Sequence, residues 1–331
     1  MLVIDQDKIF ESIRMYKPMS IALNAPDGLI HKMQITAKNI TDKFGIPVYM
    51  IMDTTWGSCD LNMSSAKILS VGLLFNIGHT INTSIPYNKV IMINAFDDIT
   101  FTKVATKCAN LLQNKVVSLS TNSQHLHQLK NVKHILDKNG VIVKIGKGKG
   151  QLNDGQVFGC EFYPDMGIKD QIDANVFLGQ SNFHAVGIAL STNKPTYILD
   201  PYCNDIIEIT EIAKKMQSKA ILEICKASMY ENFGIIIGLK DGQISKTTAL
   251  KFKKELEKKG KSVQLFALTN ITNDRLKNIH GVDAFIQVAC PRISIDNHFD
   301  KPVLSTPQAN ALLRMLSNKN IDEYLQLPHW L

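Results

Sequence analysis

Long apolar runs and export signals are missing from this chain of 331 residues. Its longest uncharged interval lies between Lys67 and Lys89, but that interval contains asparagine, histidine and proline and is too polar to cross a membrane. The N-terminal segment MLVIDQDKIFESIRMYK has neither the apolar core nor the cleavage site of a signal peptide. We therefore expect a cytoplasmic protein that does not span a membrane.

Closely spaced cysteines are also missing. The six cysteines are spread over the whole chain and form no C-x-x-C pair. This spacing argues against a secreted disulfide scaffold, and it is not typical of a structural zinc site, whose ligands come in short local pairs. In a reducing compartment such cysteines are core residues, metal ligands or catalytic thiols.

A large excess of one charge is missing as well. The 37 basic and 30 acidic residues give a net charge of +7, without one dominant cluster. The densest basic runs, at 251–261 and 144–150, are interpreted as a solvated helix face and a loop, so we expect no direct nucleic-acid binding. The segment GKGKG at 146–150 lacks the full Walker pattern, which favours a lid or a contact for an acidic partner over a nucleotide cradle.

A threefold repetition is the most informative feature that the sequence does have. Three segments start with a small polar residue and a lysine and then enter an apolar strand: NKVIMINAF (88–96), NKPTYILDPY (193–202) and DKPVLSTPQ (300–308). Their lysines, Lys89, Lys194 and Lys301, are 105 and 107 residues apart. A period of this length corresponds to a domain.

Each repeat also contains three earlier strands, separated by helical patterns. The first strands are at 20–28, 116–124 and 233–243, the second at 47–53, 140–146 and 261–268, and the third at 73–79, 175–180 and 284–290. We therefore predict an α/β fold of three similar domains, with parallel sheets flanked by helices, around a pseudo-threefold axis. The predicted domains are 1–100, 101–206 and 207–331, the last with a C-terminal helical tail.

The cysteines differ in their predicted positions. Cys108 and Cys225 lie within helical patterns and are interpreted as core residues. Cys203, in DPYCND, follows a strand in a predicted domain connector and has no counterpart in the other repeats. The remaining three, Cys59, Cys160 and Cys290, lie one in each repeat, in a loop or at a strand end on the predicted carboxyl side.

A shared metal site would need this arrangement, because parallel sheets bind their ligands outside the carboxyl ends of the strands. Three thiolates without an obvious fourth ligand suit an iron–sulfur cluster with one open iron better than a closed structural zinc. The alternative is that the repeats record duplication only and share no site.

Three motifs, TWGSCD (55–60), GQVFGC (155–160) and QVACPRISID (287–296), give the chain a family resemblance. In that order and at those separations, the chain resembles the archaeal diphthamide-biosynthesis enzymes, the 2-(3-amino-3-carboxypropyl)histidine synthases, over nearly its whole length. The segments IGH (77–79), NFH (182–184) and GLKDGQ (238–243) are further landmarks. The first motif departs slightly, since Trp56 and Ser58 stand where tyrosine and alanine are expected.

The resemblance implies a homodimer of three-domain subunits, each holding a [4Fe–4S] cluster on Cys59, Cys160 and Cys290. It implies that S-adenosylmethionine occupies the fourth iron and that an electron donor reduces the cluster, so that a 3-amino-3-carboxypropyl radical forms. That group is then joined to the imidazole C2 of a histidine on translation elongation factor 2, and methylthioadenosine leaves.

Arg292, His79 and Gln243 are candidates for binding the co-substrate, and His184 has a similar standing. A guanidinium can bind a carboxylate through two parallel hydrogen bonds, although Arg292 could equally pair with Asp296. His79 could equally be a structural histidine. Two other functions remain open: a quinolinate synthase-like dehydratase, against which QVACPRISID argues, and a non-enzymatic binding module.

Overall fold

The computed structural model describes residues 2–79, 90–150 and 152–330. Within these ranges the strands are β1 Leu2–Ile4, β2 Ile21–Asn24, β3 Val48–Ile51, β4 Leu73–Ile77, β5 Val90–Ile93, β6 Ala95–Asp97, β7 Val116–Thr121, β8 Ile142–Lys144, β9 Ala174–Leu178, β10 Thr196–Asp200, β11 Asp205–Glu208, β12 Asn232–Gly238, β13 Ser262–Leu268, β14 Ala284–Gln287 and β15 Val303–Leu304. The α-helices are α1 Gln6–Tyr16, α2 Ile30–Phe44, α3 Met63–Ile68, α4 Thr102–Leu111, α5 Leu129–Lys138, α6 Tyr163–Met166, α7 Asn182–Thr192, α8 Thr210–Ser228, α9 Lys246–Glu257, α10 Asn273–Lys277, α11 Pro291–Asp296 and α12 Thr306–Met315.

Three parallel sheets repeat one strand order. They run β3-β2-β4-β5, β8-β7-β9-β10 and β13-β12-β14-β15, so each places the second strand of its repeat at one edge and the first beside it. Ten of the twelve strands lie within the segments that the sequence predicts, and β9 and β12 each begin one residue earlier. The α/β fold with parallel sheets flanked by helices is confirmed. Lys89, which helps to define the period, lies outside the described residues. The domain boundaries and the pseudo-threefold axis stay predictions.

Two antiparallel additions are absent from the prediction. The strand β11 extends the second sheet at its edge beside β10, and it begins at the last residue of the segment DPYCND that is interpreted as a domain connector. The short strands β1 and β6 pair with each other as a separate ribbon. Strands of three or four residues carry too little periodicity to stand out in a sequence.

The second and third sheets share one apolar core. It includes Phe162 and Phe177 from the second repeat, Phe233 and Ile286 from the third, and Trp330 near the C-terminus. Burying each of these side chains stabilises the fold by about 1.5–3 kcal/mol or more. The predicted helical tail is helical only as far as Met315, and residues 316–330 form turns that reach back to the second repeat.

Helices on the two sides of the sheets differ in how much of their surface is buried. In α7 every residue from Ala185 to Thr192 is buried, whereas α5 buries only one stripe, formed by Leu129, Val132 and Leu136. A helix buried on all sides lies between layers, and a striped helix covers an outer face. Within the described ranges, no helix is both long and apolar enough to cross a membrane.

Candidate metal centre

The Cys59 loop follows β3 and is anchored to the first sheet by buried amides. Asn24, on β2, donates to Asn76 Oδ1 on β4 at 2.8 Å. The side-chain oxygen Oδ1 of Asn24 accepts from the Thr55 hydroxyl and from Asn62 Nδ2, each at 2.9 Å. Because Thr55 and Asn62 lie on either side of Cys59, this network fixes both ends of its loop.

The third repeat closes over the same loop. The backbone N–H of Gly242 donates to the carbonyl oxygen of Cys59 at 2.8 Å, and a Cβ on Gly242 would lie 2.7 Å from the Cys59 Cα. The Gln243 amide nitrogen lies 3.6 Å from Cys59 Sγ. The Lys240 ammonium forms an ion pair with the Asp60 carboxylate, and both side chains are nearly buried. A residue larger than glycine at 242 would push the two repeats apart.

Cys160 is held by the C-terminal segment. The backbone N–H of Trp330 donates to the carbonyl oxygen of Cys160 at 3.1 Å, and that of Phe162 donates to the carbonyl of Pro328 at 2.8 Å. The Phe162 and Trp330 rings meet edge to face at 4.8 Å between centroids. The residue before Cys160 is Gly159, where a Cβ would collide with the Phe183 ring at 1.8 Å. The loop is therefore packed between the C-terminal segment and α7.

Cys290 lies directly before α11, three residues beyond the end of β14. Pro291 occupies the first turn of this helix, where its missing N–H leaves no bond unmade. Gln287 Nε2 donates to the carbonyl of Cys290 at 2.7 Å, and Gln287 Oε1 accepts from the backbone N–H of Ala289 at 3.0 Å. The buried strand thus ends where a proline begins a short helix and a glutamine fixes the preceding turn.

The three thiols lie close enough to influence one another electrostatically. Burial raises the pKa of Cys160 well above its usual range, and the thiolates of Cys290 and Cys59 raise it further. Burial, followed by the Cys59 charge, raises the pKa of Cys290 to about 11. The pKa of Cys59 is also raised, chiefly by burial, although the Gln243 hydrogen bond opposes this. The three cysteines, one from each repeat, therefore lie near one another, and we refer to the region around them as the crevice.

Buried thiols with a raised pKa suit metal binding better than nucleophilic catalysis. A nucleophilic cysteine needs a lowered pKa, whereas a metal can displace the proton of a buried thiol when it binds. In the described ranges, no three His, Cys, Asp or Glu side chains approach closely enough to hold one metal ion. Ligands of a cluster bind different irons and need not meet at a single atom, so the donor set fits an iron–sulfur cluster.

Arg292 lies near the thiols of Cys160 and Cys290. The Arg292 guanidinium donates from Nε and Nη2 to the two carboxylate oxygens of Asp296, at 2.9 and 2.8 Å, which confirms the salt-bridge alternative. Its Nη1 is buried without a hydrogen-bond partner among the described residues. The guanidinium also stacks 4.1 Å from the Phe183 ring centroid. The N–H groups of Nη1 therefore remain available for a further acceptor.

His184 lies near this guanidinium and near His79, and burial keeps both histidines neutral. Burial lowers the pKa of His184 to about 3, and the charges of Arg292 and His79 act in the same direction. Its ring stacks on Phe177, and its Nδ1 lies 3.0 Å from the Ser181 hydroxyl. Burial also lowers the pKa of His79, whose Nδ1 has no partner in the described part of the chain.

The other cysteines differ from the three in the crevice. Cys108 is fully buried on α4, as predicted. Cys225 is exposed, so its prediction as a core residue is wrong: the buried face of α8 runs through Ala220, Ile224 and Ala227, and residue 225 points away from it. Cys203 is exposed in the turn after β10.

Donor groups of the GKGKG loop already bind a nearby acidic residue, Asp154. Asp154 accepts from the Gly148 backbone N–H at 3.0 Å and pairs with the Lys147 ammonium at 2.8 Å. A phosphate cradle would need such donors free, so this geometry argues against a nucleotide site.

Comparison with known proteins shows which family the chain belongs to. The family described as "Putative diphthamide synthesis protein" matches residues 25–325. The chain belongs to this diphthamide-synthesis family. It is 26% identical to 2-(3-amino-3-carboxypropyl)histidine synthase of Pyrococcus horikoshii over 98% of this chain and 94% of the relative. It is 27% identical to subunit 1 of the Schizosaccharomyces pombe enzyme, covering 93% of this chain and 73% of that subunit.

A solved structure supports the same family assignment. The crystal structure of Dph2 from Pyrococcus horikoshii with a 4Fe-4S cluster superimposes with a TM-score of 0.86 at 26% identity, covering 95% of this chain and 92% of that one.

Several residues that shape the crevice were not singled out from the sequence. Lys240 and Asp60 lie inside family motifs, but nothing in the sequence indicates that they pair across two repeats. Gln287 precedes Cys290 by three residues, which is a usual spacing for a turn contact. Trp330 carries no local signal, because its contact to Cys160 depends on the path of the whole C-terminal segment.

Proposed function

We propose that this member of the diphthamide-synthesis family transfers the 3-amino-3-carboxypropyl group of S-adenosylmethionine to the imidazole C2 of a histidine on translation elongation factor 2. The observation that supports the proposal is the proximity of Cys59, Cys160 and Cys290, one from each repeat. The P. horikoshii relative is named for this activity, and its Dph2 structure contains a 4Fe-4S cluster.

In this proposal Cys59, Cys160 and Cys290 hold a [4Fe–4S] cluster and leave one iron without a protein ligand. The bound cluster would supply the electron that breaks the bond between the sulfonium sulfur and the γ-carbon of the methionine moiety. The protein keeps the crevice partly enclosed, since all three cysteines are half-buried rather than exposed. This burial limits access of water to a reactive fragment.

Arg292 is the proposed anchor for the carboxylate of the co-substrate. Asp296 accepts from two of its nitrogens, and the buried third nitrogen, Nη1, has no partner among the described residues. A fixed guanidinium with one free nitrogen can orient a carboxylate without first rearranging. His79 and His184, kept neutral by burial, add hydrogen-bonding groups without repelling the positive sulfonium.

The partners follow from the same proposal. A histidine on a translation factor must reach the crevice, so the reaction belongs in the cytoplasm, and an external electron donor must reduce the cluster. We propose a homodimer as the active form.

An anaerobic assay tests the function. Reconstituted protein is mixed with dithionite, S-adenosylmethionine and archaeal elongation factor 2, and methylthioadenosine and the mass of the factor are measured. We expect both methylthioadenosine and a mass gain on the target histidine, and no mass gain on a factor whose target histidine is replaced. If the fully loaded protein gives neither product, the proposed function is wrong. A colourless protein after anaerobic reconstitution would favour a non-enzymatic binding module.

A further inference from the structure

We infer that Gln243 raises the reduction potential of the cluster by donating an amide N–H to the Cys59 sulfur. The inference rests on the proposed function, because it requires Cys59 to be a cluster ligand. In this role Gln243 sets the reduction potential of the cluster. The role is separate from its predicted place near the co-substrate.

The geometry of the contact supports a hydrogen bond to sulfur. Gln243 Nε2 lies 3.6 Å from Cys59 Sγ, within the longer range usual for a sulfur acceptor. The Gln243 side chain is only 7% exposed, so water does not compete strongly for its amide. The bond crosses from the third repeat to the first, over 184 residues of sequence.

The segment that carries Gln243 is fixed around the Cys59 loop. The backbone N–H of Gln243 donates to the Lys240 carbonyl at 2.8 Å, which closes the turn. On one side of this turn the Asp241 carboxylate accepts from the Met63 backbone N–H at 3.0 Å. On the other side Gly242 binds the Cys59 carbonyl. The backbone that carries the amide is therefore held in place before any cluster binds, which reduces the ordering cost of its contact with the sulfur.

The chemistry gives the sign of the effect. Reduction adds one electron to the cluster and increases the negative charge on its thiolate ligands. An N–H donor stabilises the more negative state, so removing it makes reduction harder and lowers the potential. An electron source that must act on a sulfonium needs a potential set within a narrow range, and a single buried amide provides one means of setting it.

The test uses Gln243→Met, which keeps the length of the side chain and removes the donor. The matched control is Gln308→Met, because Gln308 is a buried glutamine of the same repeat that bonds Ser305 at the start of α12. Both variants and the wild type are reconstituted anaerobically without S-adenosylmethionine. Their potentials are measured by dye-mediated titration with electron paramagnetic resonance detection, and iron per chain and circular dichroism are recorded.

We expect Gln243→Met to lower the ratio of reduced to oxidised cluster about tenfold at a fixed solution potential, which corresponds to about 59 mV for a one-electron couple. Gln308→Met should match the wild type. Equal potentials in a loaded wild type, Gln243→Met and Gln243→Leu would overturn the inference alone. Loss of the cluster from both Gln243 variants while Gln308→Met stays loaded would also overturn it, because Gln243 would then serve assembly. A wild type that takes up no cluster would overturn the proposed function as well.

Discussion

Trp330 donates its backbone N–H to the carbonyl oxygen of Cys160 at 3.1 Å, so the last turn of the chain holds the cysteine loop of the second repeat. The indole N–H of Trp330 donates to the Leu325 carbonyl at 2.9 Å, and the ring is 1% exposed. The C-terminal segment thus joins the shared core of two repeats to one corner of the crevice.

Replacing Trp330 by alanine should therefore destabilise the protein and loosen the Cys160 loop. Removal of a fully buried indole costs about 3–5 kcal/mol, and chemical denaturation measures this loss. The other tryptophan, Trp56, is 74% exposed and provides the control, since Trp56→Ala should change the unfolding free energy by less than about 0.5 kcal/mol. Equal losses in the two variants would show that the C-terminal contact does not matter.

The ion pair between Lys240 and Asp60 should contribute strongly to the contact between the first and third repeats. Their side chains are 11% and 3% exposed, so either Lys240→Met or Asp60→Asn leaves a buried charge without its partner. We expect each single change to cost about 3–5 kcal/mol and the double change to cost less than the sum. Urea denaturation of all four proteins gives the coupling energy.

An ion pair on the surface provides the comparison for this double-mutant cycle. Lys253 and Glu257 form an i,i+4 pair on α9 with side chains 32% and 47% exposed. Lys253→Met should change stability by about 0.5 kcal/mol or less. Strict additivity of Lys240→Met and Asp60→Asn would contradict a direct buried interaction.

Asp165 should make stability depend on pH in the second repeat. Its Oδ1 accepts from the Ser118 hydroxyl at 2.7 Å, and burial raises its pKa to about 6 from an ordinary value of 3.8. The folded protein therefore holds this proton more tightly than the unfolded chain does. The stabilising contribution is fully present below about pH 4 and is lost as the pH rises through about 6.

Asp165→Asn removes this titration and keeps the shape of the side chain. The unfolding free energy of the variant minus that of the wild type should increase by about 1–3 kcal/mol between pH 4 and pH 7. Buried His125, with its pKa lowered to about 4, acts in the opposite direction but is common to both proteins and cancels in the difference. Asp170→Asn, at an exposed position, is the control. A flat difference for Asp165→Asn would contradict the assignment.

Much of the fold could be predicted because the strands of each repeat are separate apolar runs in the sequence. The first strand of the third repeat, Phe233–Gly238, is an uninterrupted apolar stretch between polar residues, which is typical of a strand buried on both faces. The three crevice cysteines stood out for the same reason, since each follows such a run. Cys225 shows the limit: one step along a helix turns a side chain by about 100°, and the sequence does not say which face is covered.

Contacts between the repeats could not be predicted. Whether Gln243 reaches Cys59, or Trp330 reaches Cys160, depends on how three sheets sit against one another, and no local periodicity encodes that. Arg292 has one feature that the sequence predicts and one that it does not. Its pairing with Asp296, four residues along a helix, follows from spacing alone, whereas the buried Nη1 becomes visible only in three dimensions.

The central claim is that three cysteines from three repeats hold one cluster, and iron content per chain tests it most directly. After anaerobic reconstitution we expect about four irons per chain in the wild type, in Cys108→Ala, in Cys203→Ala and in Cys225→Ala. Cys59→Ala, Cys160→Ala and Cys290→Ala should each lose most of this iron together with the brown colour. Full iron in any one of these three, or its loss from Cys203→Ala, would contradict the account.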